Sequence, residues 1–166
     1  MSRPSAIHWI NRYNMATHVE GGSFVEIYRS PLILPQSSIP AFNGPRRAST
    51  HIYFLLQQGQ HSSFHRILSD ELWHFYEGDP LNIYEIDPSG QLTVHHLGRQ
   101  TGNEFFTVIQ AGSWFAAEPE GQGEYSLVGC TVAPGFDFND FELARKASLI
   151  SMYGEHRELI NRLAND

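Results

Sequence analysis

The chain has 166 residues, with 18 Asp and Glu against 11 Lys and Arg, for a net charge of −7 with neutral histidines. That balance argues against a nucleic-acid polymer as partner, because such a binder needs a basic stripe to neutralise phosphates. A single cysteine, Cys130, excludes an intrachain disulfide, and no apolar run approaches the roughly 20 residues that cross a bilayer.

Hydrophobic residues make up 41% of the chain and aromatics 13%, enough for a sizeable core without staples. No apolar signal core follows Met1-Ser2-Arg3-Pro4, so the expectation is a cytoplasmic protein with no membrane partner. Ser5 to Ala16 predicts a short helix with Ile7, Trp9, Ile10 and Tyr13 as its apolar positions. The paired glycines of His18-Val19-Glu20-Gly21-Gly22 then break regular structure. Ser23 to Arg29 alternates and predicts a strand. Pro31 to Arg47, rich in Pro, Ser and Gly, is long for a loop inside a compact domain, which fits a lid or an arm reaching a partner.

Strands follow in quick succession: His51–Leu56, Ser63–Ile67, Glu71–Tyr76 and Leu81–Ile86. Asp87-Pro88-Ser89-Gly90 is a turn, with Pro presetting φ and Gly taking the positive one. Gln91–Leu97, Phe105–Gln110, Ser113–Ala117 and Tyr125–Val132 complete the run. Short strands at this spacing predict a sandwich or a closed barrel. The C-terminal segment changes character. Asp140–Tyr153 predicts a helix, and Leu159, Ile160 and Leu163 share one face of a second helix over His156–Leu163. Both are expected to pack on the outside of the barrel.

Strand alternation places Ser63 and His65 on one face, with Phe64 and Arg66 on the other. Glu71, Trp73 and Phe75 share a face of the next strand. If both faces point inward, the His65 imidazole meets the Glu71 carboxylate. Such a pair serves acid–base catalysis, forms half of a metal site, or is a buried structural pair. Trp73 and Phe75 predict walls or core. His74 falls on the face opposite Glu71. His95 and His96 are adjacent and so cannot ligate together, and Cys130 reads as packing rather than as a nucleophile.

Ser63-Phe64-His65, Glu71 and Gly78 resemble the first cupin motif, His-x-His, a short gap, Glu, six residues, Gly. Gln110-Ala111-Gly112 resembles the Pro-x-Gly of the second motif. Ser63 and Phe115 stand where two of the four usual metal histidines would be, which leaves His65 and Glu71. Longer stretches narrow the match. They include His18 to Gly22, Tyr28-Arg29-Ser30, Ile52 to Leu56, Glu71 to Phe75, Ser126 to Cys130, and Pro134-Gly135-Phe136 onward to Leu143. Together these resemble the small stand-alone cupins of unknown function.

The resemblance implies an all-β chain with minor α: a double-stranded β-helix, or jelly-roll barrel. One domain over 1–166 is expected, with a barrel core of about 23–133 and a C-terminal helical segment of about 138–164. It also implies a homodimer and a fold similar to that of dTDP-sugar epimerases. Three functions follow as expectations. The first is a metal-independent isomerase or epimerase on a sugar-like or anionic metabolite. In it His65 is the base, Glu71 its orienting partner and Tyr28 the acid, while Arg29 or Arg66 holds an anionic group. The second is a non-catalytic cupin whose wall of Ser63, Trp73, Phe75 and Phe115 binds a metabolite or nucleotide. The third is a metalloenzyme with His65 and Glu71 among an unusual ligand set.

Overall fold

The computed structural model describes residues 3–166. Helix α1 spans Ala6–Tyr13. It starts because Ser5 caps it, its side chain accepting from the His8 N–H at 3.3 Å, and it ends at Asn14 in the left-handed region with φ 49°. This is shorter than the predicted Ser5 to Ala16, because Ala16–Thr17 pairs instead as strand β1 with Phe24 and Ser23.

The remaining strands are β2 (Ser23–Arg29), β3 (Ile33–Leu34), β4 (Arg46–Arg47), β5 (Thr50–Gln57), β6 (Ser62–Arg66) and β7 (Asp70–Gly78). They continue with β8 (Leu81–Ile86), β9 (Leu92–Leu97), β10 (Phe106–Ile109), β11 (Trp114–Pro119), β12 (Tyr125–Ala133) and β13 (Glu142–Leu143). They form a six-stranded sheet ordered β1-β2-β5-β12-β7-β10 and a five-stranded sheet ordered β13-β6-β11-β8-β9; β3 and β4 pair apart as a ribbon. Every named strand pairing is antiparallel. The two sheets face one another as a jelly roll, and their inner faces fill the space between with Phe54, Trp73, Phe75, Ile83, Phe115 and Val128.

Gly78 shows how tightly the strands are set. It has φ +104°, and a Cβ there would run into the Tyr125 carbonyl of the neighbouring strand.

The C-terminal helices α2 (Lys146–Met152) and α3 (Arg157–Leu163) cover the outside of the five-stranded sheet. Leu149, Ile160 and Leu163 pack there on Phe64, Ile86, Trp114 and Ala116. The expected helix from Asp140 begins six residues late. Glu142 and Leu143 are taken by β6, where they pair with Arg66 and His65, so the backbone is extended until Arg145. On the other side, α1 packs Ala6, and Met15 beyond it, on Leu55, Tyr125 and Leu127. Among the described residues no helix is long and apolar enough to cross a membrane.

The Pro31 to Arg47 segment is an excursion closed at its neck. Ser30 N–H donates to the Ser49 carbonyl at 2.9 Å, and Ala48 N–H to the Leu32 carbonyl at 2.9 Å. Its returning strand carries Arg46, whose Nε and Nη2 grip both oxygens of Asp140 at 2.6 Å. Nη1 donates to the carbonyls of Asn43 and Pro45. Both side chains of the ion pair are about 5% exposed. This two-pronged contact ties the ribbon to the segment between β12 and α2.

Removing one partner of such a pair strands a buried charge. Asp140→Ala is expected to lower unfolding stability by about 3–5 kcal/mol in chemical denaturation, whereas an Arg46→Met/Asp140→Leu double variant recovers most of that loss.

Candidate functional site

His65 lies on β6 with both neighbours in the ladder fixed, opposite Phe115 on β11 and Leu143 on β13. The β6–β11 register moves by three residues on β6 (Ser62 to His65) against two on β11 (Ala117 to Phe115), so β6 carries a bulge. The extra residue reverses the parity upstream of His65. Ser62, not Ser63, shares the interior face with His65, while Ser63 turns outward and its hydroxyl meets Asn165 Oδ1 at 3.2 Å. Simple alternation put Ser63 in the site wall; the bulge removes it. Its carbonyl stays useful, accepting from His65 Nδ1 at 2.8 Å.

That hydrogen bond decides the tautomer. A carbonyl only accepts, so Nδ1 carries the proton and Nε2 presents a lone pair. Nε2 faces Glu20 Oε2 at 3.1 Å. The orienting partner of His65 is therefore Glu20, not Glu71 as alternation predicts. Glu20 arrives from the turn between β1 and β2. The Ser63 N–H donates to the Glu20 carbonyl at 2.8 Å, docking the turn on β6. Gly21, at φ +115°, lets the chain pass the His61 carbonyl where any Cβ would collide. The Ser62 hydroxyl donates to Glu20 Oε1 at 2.8 Å, and His18 Nδ1 lies 3.4 Å from Oε2.

Glu71 enters from β7 and stands across the same cavity, beside Cys130 of β12. The cavity, about 40 Å³, is lined by His18, Glu20, Phe54, His65, Glu71 and Phe136 among others. That is room for a group the size of one water, about 30 Å³. Phe136 lines it from the segment that Arg46 holds, and Phe138 and Phe141 of that segment pack against Phe136. His65 lies between Phe115 and Phe141, with ring centroids 4.1 and 5.4 Å away, and His18 lies 6.5 Å from Phe138.

Burial controls the charges. It pulls His65 down to about 4, the Ser63 carbonyl only partly offsetting it. It pushes Glu20 up against the opposing pull of His18 and Ser62. It also raises Glu71 to about 8, helped by the nearby Glu20 carboxylate and partly offset by Cys130. His18 is lowered by burial, and Cys130 is raised well above an ordinary thiol. Burial thus favours the neutral form of both partners in the His65–Glu20 contact, and at neutral pH Glu71 keeps its proton.

The other sequence-predicted residues lie elsewhere. Tyr28 is half exposed on β2, because a register shift between Glu26 and Tyr28 against β5 carries it off the interior. Arg29 is paired with Glu26 at 2.6 Å, and Arg66 with Glu142 at 2.6 Å on the outer surface. Neither reaches the cavity. Trp73, Phe75 and Phe115 are interior, but they belong to the packed aromatic core beside the cavity and do not line it. The metal reading of His65 and Glu71 does not fit. His65 uses Nδ1 on Ser63 and Nε2 on Glu20, Glu71 lies against Cys130, and the donors engage one another instead of a common centre. Among the described residues no three His, Cys, Asp or Glu side chains are arranged to hold a metal ion. Alternation could not find Glu20 and His18, since they lie in a turn; the available signal was His-x-Glu directly before paired glycines.

A jelly-roll barrel with ionisable side chains converging inside it defines a cupin. Residues 7–144 match the family described as Cupin superfamily (DUF985), and the chain belongs to that family. It is similar to a Shewanella oneidensis protein solved by X-ray crystallography, at 37% identity and TM-score 0.88, covering 98% of this chain and 99% of that one. It is also similar to a hypothetical protein from Leishmania major, at 32% identity and TM-score 0.88, covering 98% and 100%. A cupin 2 domain-containing protein from Halorhodospira halophila, at 14% identity and TM-score 0.58 over 91% and 88%, shares the fold. A search of the curated proteins finds no match.

The two shifted groups pull stability in opposite directions with pH. His65 is depressed, so its contribution is present above the unfolded value near 6.5 and is lost as pH falls towards 4. Glu71 is raised, so its contribution is present below about 4.5 and is lost as pH rises through 8. Between these unfolded values the two slopes oppose each other; above pH 6.5 the His65 contribution is constant, and Glu71, with Glu20 raised in the same direction, pulls stability down as pH rises. Stability is expected to fall across that upper window, and Glu71→Gln to lessen the fall by up to about 1.4 kcal/mol per pH unit, as read from denaturation midpoints at stepped pH.

Proposed function

We propose that the cavity is a small-molecule site for metal-independent proton transfer, of the isomerase or epimerase kind. The observation that carries this reading is the placement of two differently backed carboxyl groups, Glu20 on His65 and Glu71 beside Cys130, around one closed cavity. Glu20 passes its proton to His65 Nε2 and, as a carboxylate, takes a proton from the ligand. Glu71, still protonated at neutral pH, supplies one from its own side of the cavity. Ser62 holds Glu20 and the Ser63 carbonyl holds the imidazole, so neither group needs to search for its position. A sugar-sized substrate exceeds the closed cavity, and its entry requires the Phe136–Phe141 segment to swing away.

A second reading, a non-catalytic binding cupin, is favoured by the same enclosure. The aromatic cover over the histidines suits retention of a ligand as well as exclusion of water during a reaction.

Deuterium wash-in separates the two. Aldoses, hydroxy acids and amino compounds incubated with the protein in D₂O are followed by proton NMR for loss of a carbon-bound proton. The wild type is expected to exchange at least one of them, and His65→Gln and Glu71→Gln to slow that exchange by about 100-fold or more. Undiminished exchange in both variants would overturn the assignment, and binding with no exchange by the wild type would support the second reading.

We also propose a homodimer formed through the outer face of the six-stranded sheet, where Ile27, Tyr28, Tyr76 and Phe106 are exposed. Light scattering is expected to give twice the chain mass of 18.8 kDa, and Phe106→Lys to shift it towards the monomer.

A further inference from the structure

The charge inventory of the cavity bears on which ligands it admits. Glu20 and Glu71 are both inside, and no Lys or Arg lines it. The nearby cations are all committed elsewhere: Arg29 to Glu26, Arg66 to Glu142, and Arg46 to Asp140 and two carbonyls. Only His18 and His65 remain as sources of positive charge. His65 spends Nδ1 on Ser63 and Nε2 on Glu20, and His18 Nδ1 accepts from the Glu20 N–H at 3.4 Å.

An anion entering this space would meet two carboxyl groups with no fixed countercharge. A cation would meet the same groups as acceptors, with Phe54 and Phe136 in the remaining wall. We propose that the cavity is selective for a small organic cation, an amine or alkylammonium group, and against carboxylates and phosphates. This rests on the reading of the cavity as the ligand site and not on Glu71 as its acid, since beside a bound cation Glu71 is the carboxylate; it replaces the anionic or sugar-like class that the sequence suggested.

The groups facing Glu71 are Glu20 and His18 from the β1–β2 turn, His65 from β6 and Cys130 from β12. None of them adds fixed positive charge. Bound alkylammonium is therefore matched by ionisation of Glu71, so a proton leaves as the cation enters. Because Glu71 is held at about 8, affinity for a ligand that stays cationic should rise with pH, by roughly 50-fold between pH 6 and 8.

The experiment titrates the full chain with methylammonium chloride and, separately, with sodium acetate of similar size, at constant ionic strength. Histidine ring NMR signals report occupancy, and calorimetry in two buffers of different ionisation enthalpy reports proton release. Methylammonium is expected to shift the His18 and His65 signals with release of about one proton at neutral pH, and acetate to leave them unmoved. Glu71→Gln is expected to weaken methylammonium binding at least tenfold and to abolish the proton release; Glu20→Gln gives an independent check should the first variant fold poorly. Acetate binding more tightly than methylammonium would overturn the proposal while leaving the cavity as a ligand site. Neither ion moving the ring signals would overturn both. Binding of zinc without methylammonium would overturn it in favour of a metal site.

Discussion

The carboxyl group of Glu20 is the point on which the interior turns. It is buried, and it is tolerable there only because the Ser62 hydroxyl and the His65 ring complete its hydrogen bonds. Meeting that demand fixes three further features. The β1–β2 turn must dock on β6, glycine must occupy position 21, and β6 must bulge so that Ser62 and His65 share a face. The Ser63 carbonyl holds the imidazole in one tautomer, and burial favours the neutral form of both the ring and the Glu20 carboxyl.

The barrel divides its interior between apolar packing and ionisable groups. One part is filled by Phe54, Trp73, Phe75 and Phe115, packed ring on ring, with Phe54 and Phe115 each about 6 Å from Trp73 in edge contact. The other part keeps its ionisable groups around a small void. The aromatic packing supplies the apolar burial that offsets the cost of those groups. It also sets the low local dielectric that displaces their protonation from the ordinary values. A wider or wetter barrel would hold the same residues with ordinary acidities.

Much of the fold was legible in the sequence. Leu81–Ile86 reads as a strand and forms β8 over those residues, and the Asp87 to Gly90 turn holds through Asp87 Oδ1, which accepts from Ser89 and Gln91. The site was legible only in part. His65 and Glu71 were found because each lies on a strand among cupin-like neighbours. Ser63 was misplaced because a bulge leaves no mark in a pattern of period two. Tyr28 was misplaced by the same kind of irregularity on β2. Glu20 and His18 went unassigned because a turn has no face to predict: their inward course depends on contacts with His61 and Ser63, far along the chain. The C-terminal helix began late because Glu142 and Leu143 complete the edge of a sheet, a long-range preference that outweighs local helical propensity.

The closed neck of the ribbon has a wider meaning. Ser30 and Ser49 are hydrogen-bonded across it, so β2 and β5 would meet as an ordinary hairpin if the ribbon were absent. The ribbon is thus an appendage whose length and tip can change without disturbing the barrel ladder, provided that Arg46 keeps its hold on Asp140. Evolution, or a protein engineer, has in it a separable module. The ionisable groups of the cavity belong to the barrel strands and the β1–β2 turn, whereas the aromatic cover is tied through Asp140 to this appended ribbon.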